Sequence, residues 1–132
     1  MKVTMIMRSL LTILLVMSSV GLTACAVRPE KTGVYSNQWY SSETGDLGGY
    51  RLTVKKIKVG YVGSFVQCEG ACSQPQEIRP VFKGNIITFN FIYADGSEDS
   101  FAGEIDSDGI TITSTDYAIG KPPLRLLRQG DE

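Results

Sequence analysis

Three cysteines and a scatter of carboxylates are the groups that could do chemistry in this 132-residue chain, which has no histidine. The missing imidazole removes the commonest general base, the usual partner of a nucleophilic hydroxyl and the commonest metal ligand. Ser41, Ser42, Ser97 and Ser100 therefore have no His to activate them, and no Ser-x-x-Lys spacing occurs. Cys68 and Cys72 bracket Glu69-Gly70-Ala71. A thioredoxin-type redox pair needs two intervening residues at a helix N-terminus, and a zinc site needs two further ligands. Neither requirement is met. Asp106-Ser107-Asp108-Gly109 resembles the start of a calcium loop, but Tyr117 stands where a bidentate Glu is required. Asp95, Glu98, Asp99, Glu104, Asp106 and Asp108 could supply a glycosidase pair. Asp95, Asp106 and Asp108 fall in turn-forming stretches, and Glu98, Asp99 and Glu104 fit solvent-facing or strand-end positions. All six are expected to be solvated. The reading is a non-enzymatic protein with no catalytic residue, metal site or cofactor.

Charge narrows the partners. Thirteen Lys and Arg stand against fourteen Asp and Glu, a net charge of −1. Nucleic acid wants a basic stripe that this balance does not supply, so it is not an expected partner. Lys55, Lys56 and Lys58 form a small basic cluster near Arg51. They read as a solvated strand face or as a group drawn to anionic headgroups.

The elements that must position these residues begin after a leader. Lys2 and Arg8 precede a nearly uninterrupted apolar run from Leu10 to Val20, with small residues at its end. That order describes a cleaved signal peptide, and the run is about half the ~20 residues that span a bilayer. The boundary Leu22-Thr23-Ala24-Cys25 resembles the lipobox of bacterial lipoproteins. The resemblance implies that residues 1–24 are removed. Cys25 then becomes the mature N-terminus, carrying diacylglycerol on sulfur and a third acyl chain, of the palmitate kind, on its amine. Two acyl chains already anchor stably, so three hold a protein on a membrane permanently. Ala26 stands where an Asp would retain such a protein in the inner membrane, so the resemblance implies the outer membrane of the cell envelope. Residues 25–33 read as the acylated Cys and a flexible tether. Export to an oxidising space, with Cys25 acylated, leaves Cys68 and Cys72 as a structural disulfide. Closing so short a loop is worth roughly 2 kcal/mol.

From residue 34 to 132 the apolar period is two, and no helical face develops. Tyr50, Leu52 and Val54 alternate with polar residues, as do Ile87, Phe89 and Phe91, then Phe101, Gly103 and Ile105, then Ile110 and Ile112. Strands are predicted over 34–41, 49–56, 60–68, 77–82, 85–93, 98–106, 110–115 and 124–129, with a bulge or turn near Lys55-Lys56. Short turns at Lys83-Gly84-Asn85, Ala94–Ser97 and Asp106–Gly109 join neighbours antiparallel. The fold class is all-β: a small up-and-down barrel of about eight strands, with a β-sandwich as the rival. Trp39 in the first strand, Gly60-Tyr61-Val62-Gly63-Ser64-Phe65 in the third and Arg125 or Arg128 in the last resemble lipocalin-like and avidin-like barrels. That resemblance implies a first-strand Trp buried as a core plug beneath a last-strand Arg. A ligand-stacking wall is the other role open to Trp39. With one Trp, the chain departs from avidins, and biotin is not supported.

Two functions follow. The first is a membrane-anchored envelope lipoprotein that binds a protein partner or a small apolar ligand, with inhibition of a lytic enzyme as a variant. The second is a carboxylate-dependent hydrolase of envelope glycans, which needs two acids in one cleft and one pKa raised by burial.

Overall fold

The computed structural model describes residues 27–114 and 123–130. The expected signal segment, Cys25 and the calcium-loop position Tyr117 lie outside them. Ten strands follow in order: β1 (Gly33–Ser36), β2 (Trp39–Tyr40), β3 (Leu47–Lys56), β4 (Tyr61–Cys72), β5 (Gln76–Ile78), β6 (Val81–Lys83), β7 (Ile86–Ile92), β8 (Glu98–Ile105), β9 (Gly109–Ser114) and β10 (Leu124–Arg128). Every pairing is antiparallel, and the order is β5-β4-β3-β1-β10-β9-β8-β7-β6, with β2 on β3. The all-β expectation holds, and the sheet curls into a half-barrel.

The alternation sorts the faces as expected. Leu52, Val54, Ile87, Phe89, Phe91, Phe101, Ile105, Ile110 and Ile112 are buried in one cluster. Phe65 of β4 lies at its centre. Its ring centroid is 5.4 Å from Phe89, 5.2 Å from Phe91 and 5.2 Å from Phe101. β4 and β7 are far apart in the strand order, so these contacts cross the interior and fill it at this level.

Two expected strands are interrupted. The predicted 34–41 strand becomes β1 and β2, which keep one register against β3, from Gly33↔Val54 to Tyr40↔Leu47. The break falls at Asn37. Its backbone N–H donates to Tyr50 O, while its side-chain Oδ1 accepts from Tyr50 N–H at 2.7 Å in place of a strand carbonyl. The predicted 77–82 strand is cut by Pro80, which has no N–H for a ladder. The turn foreseen near Lys55-Lys56 follows directly, where Ile57 N–H donates to Gly60 O.

The half-barrel has one open seam. First and last strands meet as expected, Tyr35 opposite Arg128. The opening falls instead between β5 and β6, at the Pro80 interruption. Gln76 spans it with its side chain, donating through Nε2 to Ile92 O at 2.6 Å and accepting from Ile92 N–H at 2.8 Å. One amide side chain thus reproduces the donor and acceptor of a strand rung.

The closing aromatic is Tyr35, not Trp39. Tyr35 is fully buried, whereas Trp39 is 57 % exposed. Alternation does place Trp39 on the same side as Tyr35, and its indole lies flat on Gly48, where a Cβ would overlap the ring. However, β2 pairs only with β3, so the outer face of the indole is open. The core-plug expectation is therefore corrected: Trp39 caps a rim. Arg128 stacks on Tyr35, with its guanidinium carbon 4.9 Å from the ring centroid. Arg125 pairs elsewhere, with both nitrogens 2.8 Å from Asp106.

Candidate functional site: the disulfide end of the barrel

The pairings define two ends. Residues 27–32 enter beside Val54, close to the β3–β4 turn, at what is termed the entry end. The opposite end carries the β2–β3 hairpin, the last rungs of β4 and the β7–β8 turn. Here Leu47 pairs with Gly70 and Gly49 with Cys68.

Cys68 and Cys72 are disulfide-bonded at this end, as expected. The bond ties together the last turn of chain in β4, and Ser73 closes the segment. Ser73 N–H donates to Gln67 O at 2.8 Å, and Ser73 Oγ accepts from Gln67 N–H at 3.1 Å. Gln38, at the β1–β2 break, donates Nε2 to Cys68 Sγ at 2.9 Å. The disulfide, the strand break and the aromatic hairpin are therefore one connected unit.

Two concavities flank the end of β4 and share Gln67 and Glu69. The larger, about 650 Å³, has apolar walls from Phe91, Tyr93 and Ala71 and polar groups from Ser73, Asp95 and Ser97. The smaller, about 430 Å³, is bordered by Trp39, Asp46 and Gly48. Beside it, Tyr40 is 65 % exposed and Leu47 is also open to solvent. The two-residue strand β2 thus leaves a large aromatic side chain open on each of its faces.

The carboxylates fall into distinct environments. Asp95 is exposed and accepts from both the hydroxyl and the N–H of Ser97, at 2.6 and 2.9 Å. Those hydrogen bonds hold its carboxyl below the ordinary range. Asp106 closes its turn by accepting from Asp108 and Gly109 N–H. The Arg125 fork, more than those amides, holds its carboxyl well below the carboxylate range. Glu98 accepts from Asn90 and Glu104 is exposed, both facing solvent as expected.

Asp99 departs from expectation, being only 3 % exposed. It shares the inward face with Phe101, accepts from Ser100 N–H at 3.0 Å and takes the Tyr93 hydroxyl at 3.3 Å. The inward parity that buries Phe101, Gly103 and Ile105 also applies two residues earlier, so strand alternation was the signal that could have found it. Asp99 supports the Tyr93 wall of the larger cleft from beneath.

Glu69 and Asp95 do line the same cleft. Both are exposed, and Asp95 is held in its ionised form, whereas a glycosidase acid is kept protonated by burial. Among the described residues, no group of three His, Cys, Asp or Glu side chains is placed to hold a metal ion. What the arrangement can do is present an aromatic hairpin and two adjoining hollows, bordered by hydrogen-bond acceptors. Comparison of the chain with protein-family models, with curated proteins and with solved structures finds no significant match.

Proposed function

We propose that the protein is a lipid-anchored lipoprotein of the bacterial cell envelope, attached through Cys25 in the outer membrane, and that it is a non-enzymatic binding module for a protein partner. The observation that carries this reading is the hairpin beside the disulfide, which leaves Trp39 open on one face and Tyr40 and Leu47 open on the other. Trp and Tyr dominate the energetic centres of protein interfaces, because they bury much area at little entropic cost. A protein partner is favoured over an apolar ligand inside the barrel, since the Phe65 cluster occupies the interior. Inhibition of a lytic enzyme is one form such binding could take, with the rigid hairpin entering the enzyme's cleft.

A photo-crosslinking residue at Tyr40, in protein expressed in its native envelope, tests the reading. One discrete protein adduct at position 40 is expected, with none at Thr88 on the outer face of β7. Equal labelling at both positions would remove the assigned surface. The hydrolase reading draws on the cleft shared by Glu69 and Asp95. Turnover of envelope glycans by the purified protein, abolished in both Glu69→Gln and Asp95→Asn, would replace the binding module with an enzyme.

A further inference from the structure

The net charge near zero conceals a separation that the fold creates. At the disulfide end, the described loops and strand ends carry Glu43, Asp46, Glu69, Asp95 and Glu98, with no Lys or Arg among them. At the entry end the balance reverses. Lys55 and Lys56 finish β3, and Lys58 lies in the turn that follows. Lys31 joins them, its ammonium 5.2 Å from the centroid of the Phe82 ring, which in turn packs on Tyr61 at the start of β4. Arg28 lies on the entering chain and Lys83 ends β6. Acids are present here too. Glu30 is hydrogen-bonded to Thr32, and Asp106 is taken by Arg125. Asp108, in the same turn as Asp106, is exposed and accepts from the Ser107 hydroxyl, which leaves the cations in excess.

The same end exposes apolar side chains where solubility alone would not place them. Val59, at the tip of the β3–β4 turn, is 86 % exposed, and Ile57 beside it is open as well. Val27, where the described chain begins, is 91 % exposed. Only Ala26 separates it in sequence from Cys25. The turn therefore reads Lys-Lys-Ile-Lys-Val, alternating cations with apolar groups, beside the point where an acylated chain would enter.

We infer that the Lys55–Gly60 turn, with Val27, is a docking tip that seats the domain on an anionic phospholipid surface and so directs the Trp39 hairpin away from the membrane. This rests on the lipid-anchored reading for its biological setting, although the tip can be tested without it. Charge complementarity is the first support, since each Lys close to an anionic bilayer adds measurably to binding. The second is the three exposed aliphatic side chains, Val27, Ile57 and Val59, able to enter the headgroup region. The third is where the chain enters, which leaves a tether too short to hold the domain far from lipid.

The single Trp of the chain makes the orientation measurable. Mature protein isolated from membranes is reconstituted into phosphatidylcholine vesicles with or without phosphatidylglycerol, using lipids brominated on the acyl chains as quenchers. A Val59→Trp reporter in a Trp39→Phe background should be quenched and blue-shifted with phosphatidylglycerol. It should lose that response in high salt, where the screening length falls from about 10 Å to about 3 Å. Trp39 of the natural chain should stay unquenched throughout. Replacing Lys55, Lys56 and Lys58 by Gln should weaken the association of the tip on the order of 100-fold.

An Ile57→Trp reporter repeats the test at a second site, and circular dichroism checks that each variant is folded. Quenching at position 59 that ignores lipid charge would overturn the docking tip, as would no quenching at either reporter. Trp39 quenched as strongly as the tip would overturn the orientation. The mass of the N-terminal peptide reports acylation separately. If Cys25 carries no lipid, the anchor fails by itself, and the same reporters are read after vesicles are added to the soluble chain.

Discussion

The junction of the first and last strands rests on a contact between residues 93 apart in sequence, so truncating Arg128 is an informative perturbation. Its guanidinium donates to Thr32 O at 2.8 Å, to Tyr35 Oη at 2.7 Å and to Glu30 O, while stacking on the Tyr35 ring. The stacking is worth about 1 kcal/mol in a partly buried setting. Each hydrogen bond adds about 0.5–1.5 kcal/mol, less where water can replace the lost donor. Tyr35 keeps its own donation to Glu30 O at 3.0 Å, which limits the damage. Arg128→Ala should therefore cost about 2–3 kcal/mol, read by urea denaturation of the disulfide-intact protein. At this size that lowers Tm by roughly 10–20 °C. Arg128→Lys should recover less than half, because one ammonium cannot reproduce a planar fork that bonds and stacks at once. A double-mutant cycle with Tyr35→Phe should return a coupling of about 1 kcal/mol. An Arg128→Ala variant within about 0.5 kcal/mol of the parent, with no coupling to Tyr35, would refute the part assigned to Arg128 in joining β1 to β10.

Three further outcomes follow from the same geometry. Gln76→Ala, which removes both bonds to the Ile92 backbone, should cost about 1–2 kcal/mol and accelerate amide exchange at Ile92. Trp39→Ala should cost less than about 1 kcal/mol, whereas Phe65→Ala should cost about 3–5 kcal/mol, both by urea titration. Asp106 adds stability that is present above its unfolded pKa, about 4, and is lost as acid lowers the pH toward its depressed folded value. Asp106→Asn should thus flatten the stability profile below about pH 4, measured by thermal unfolding across that range.

Most of the fold was legible because strand alternation is a local record of a global division between core and solvent. Leu52, Ile87, Phe101 and Ile110 all face inward as their parity requires. Parity says which face a residue takes, but not whether another strand covers that face. The barrel resemblance, which implies a buried Trp39, is equally silent on that cover, and Tyr35 on the same face holds the buried position instead. Asp99 shows the converse, because its charge points to solvent while its parity places it inside. The breaks at Asn37 and Pro80 depend on one side chain replacing or deleting a backbone partner, which periodicity cannot register. The disulfide was legible from its spacing and inferred compartment. The cleft beside it was not, since Gln67, Tyr93 and Asp95 converge only when β4 and the β7–β8 turn reach the same end. The separation of charge between the two ends was equally hidden, because acidic and basic residues are interspersed along the chain and are sorted only by strand direction.

The proposed lipid anchor at one end of the domain and the disulfide at the other are both read by the intact mass of the protein extracted from membranes without reductant. The expected mass is that of a chain beginning at Cys25, carrying diacylglycerol and a further acyl group, with Cys68 and Cys72 oxidised. Thiol alkylation under the same conditions should add nothing. A chain that begins elsewhere, or a Cys25 without lipid, would contradict the anchor, and two alkylated thiols would contradict the staple.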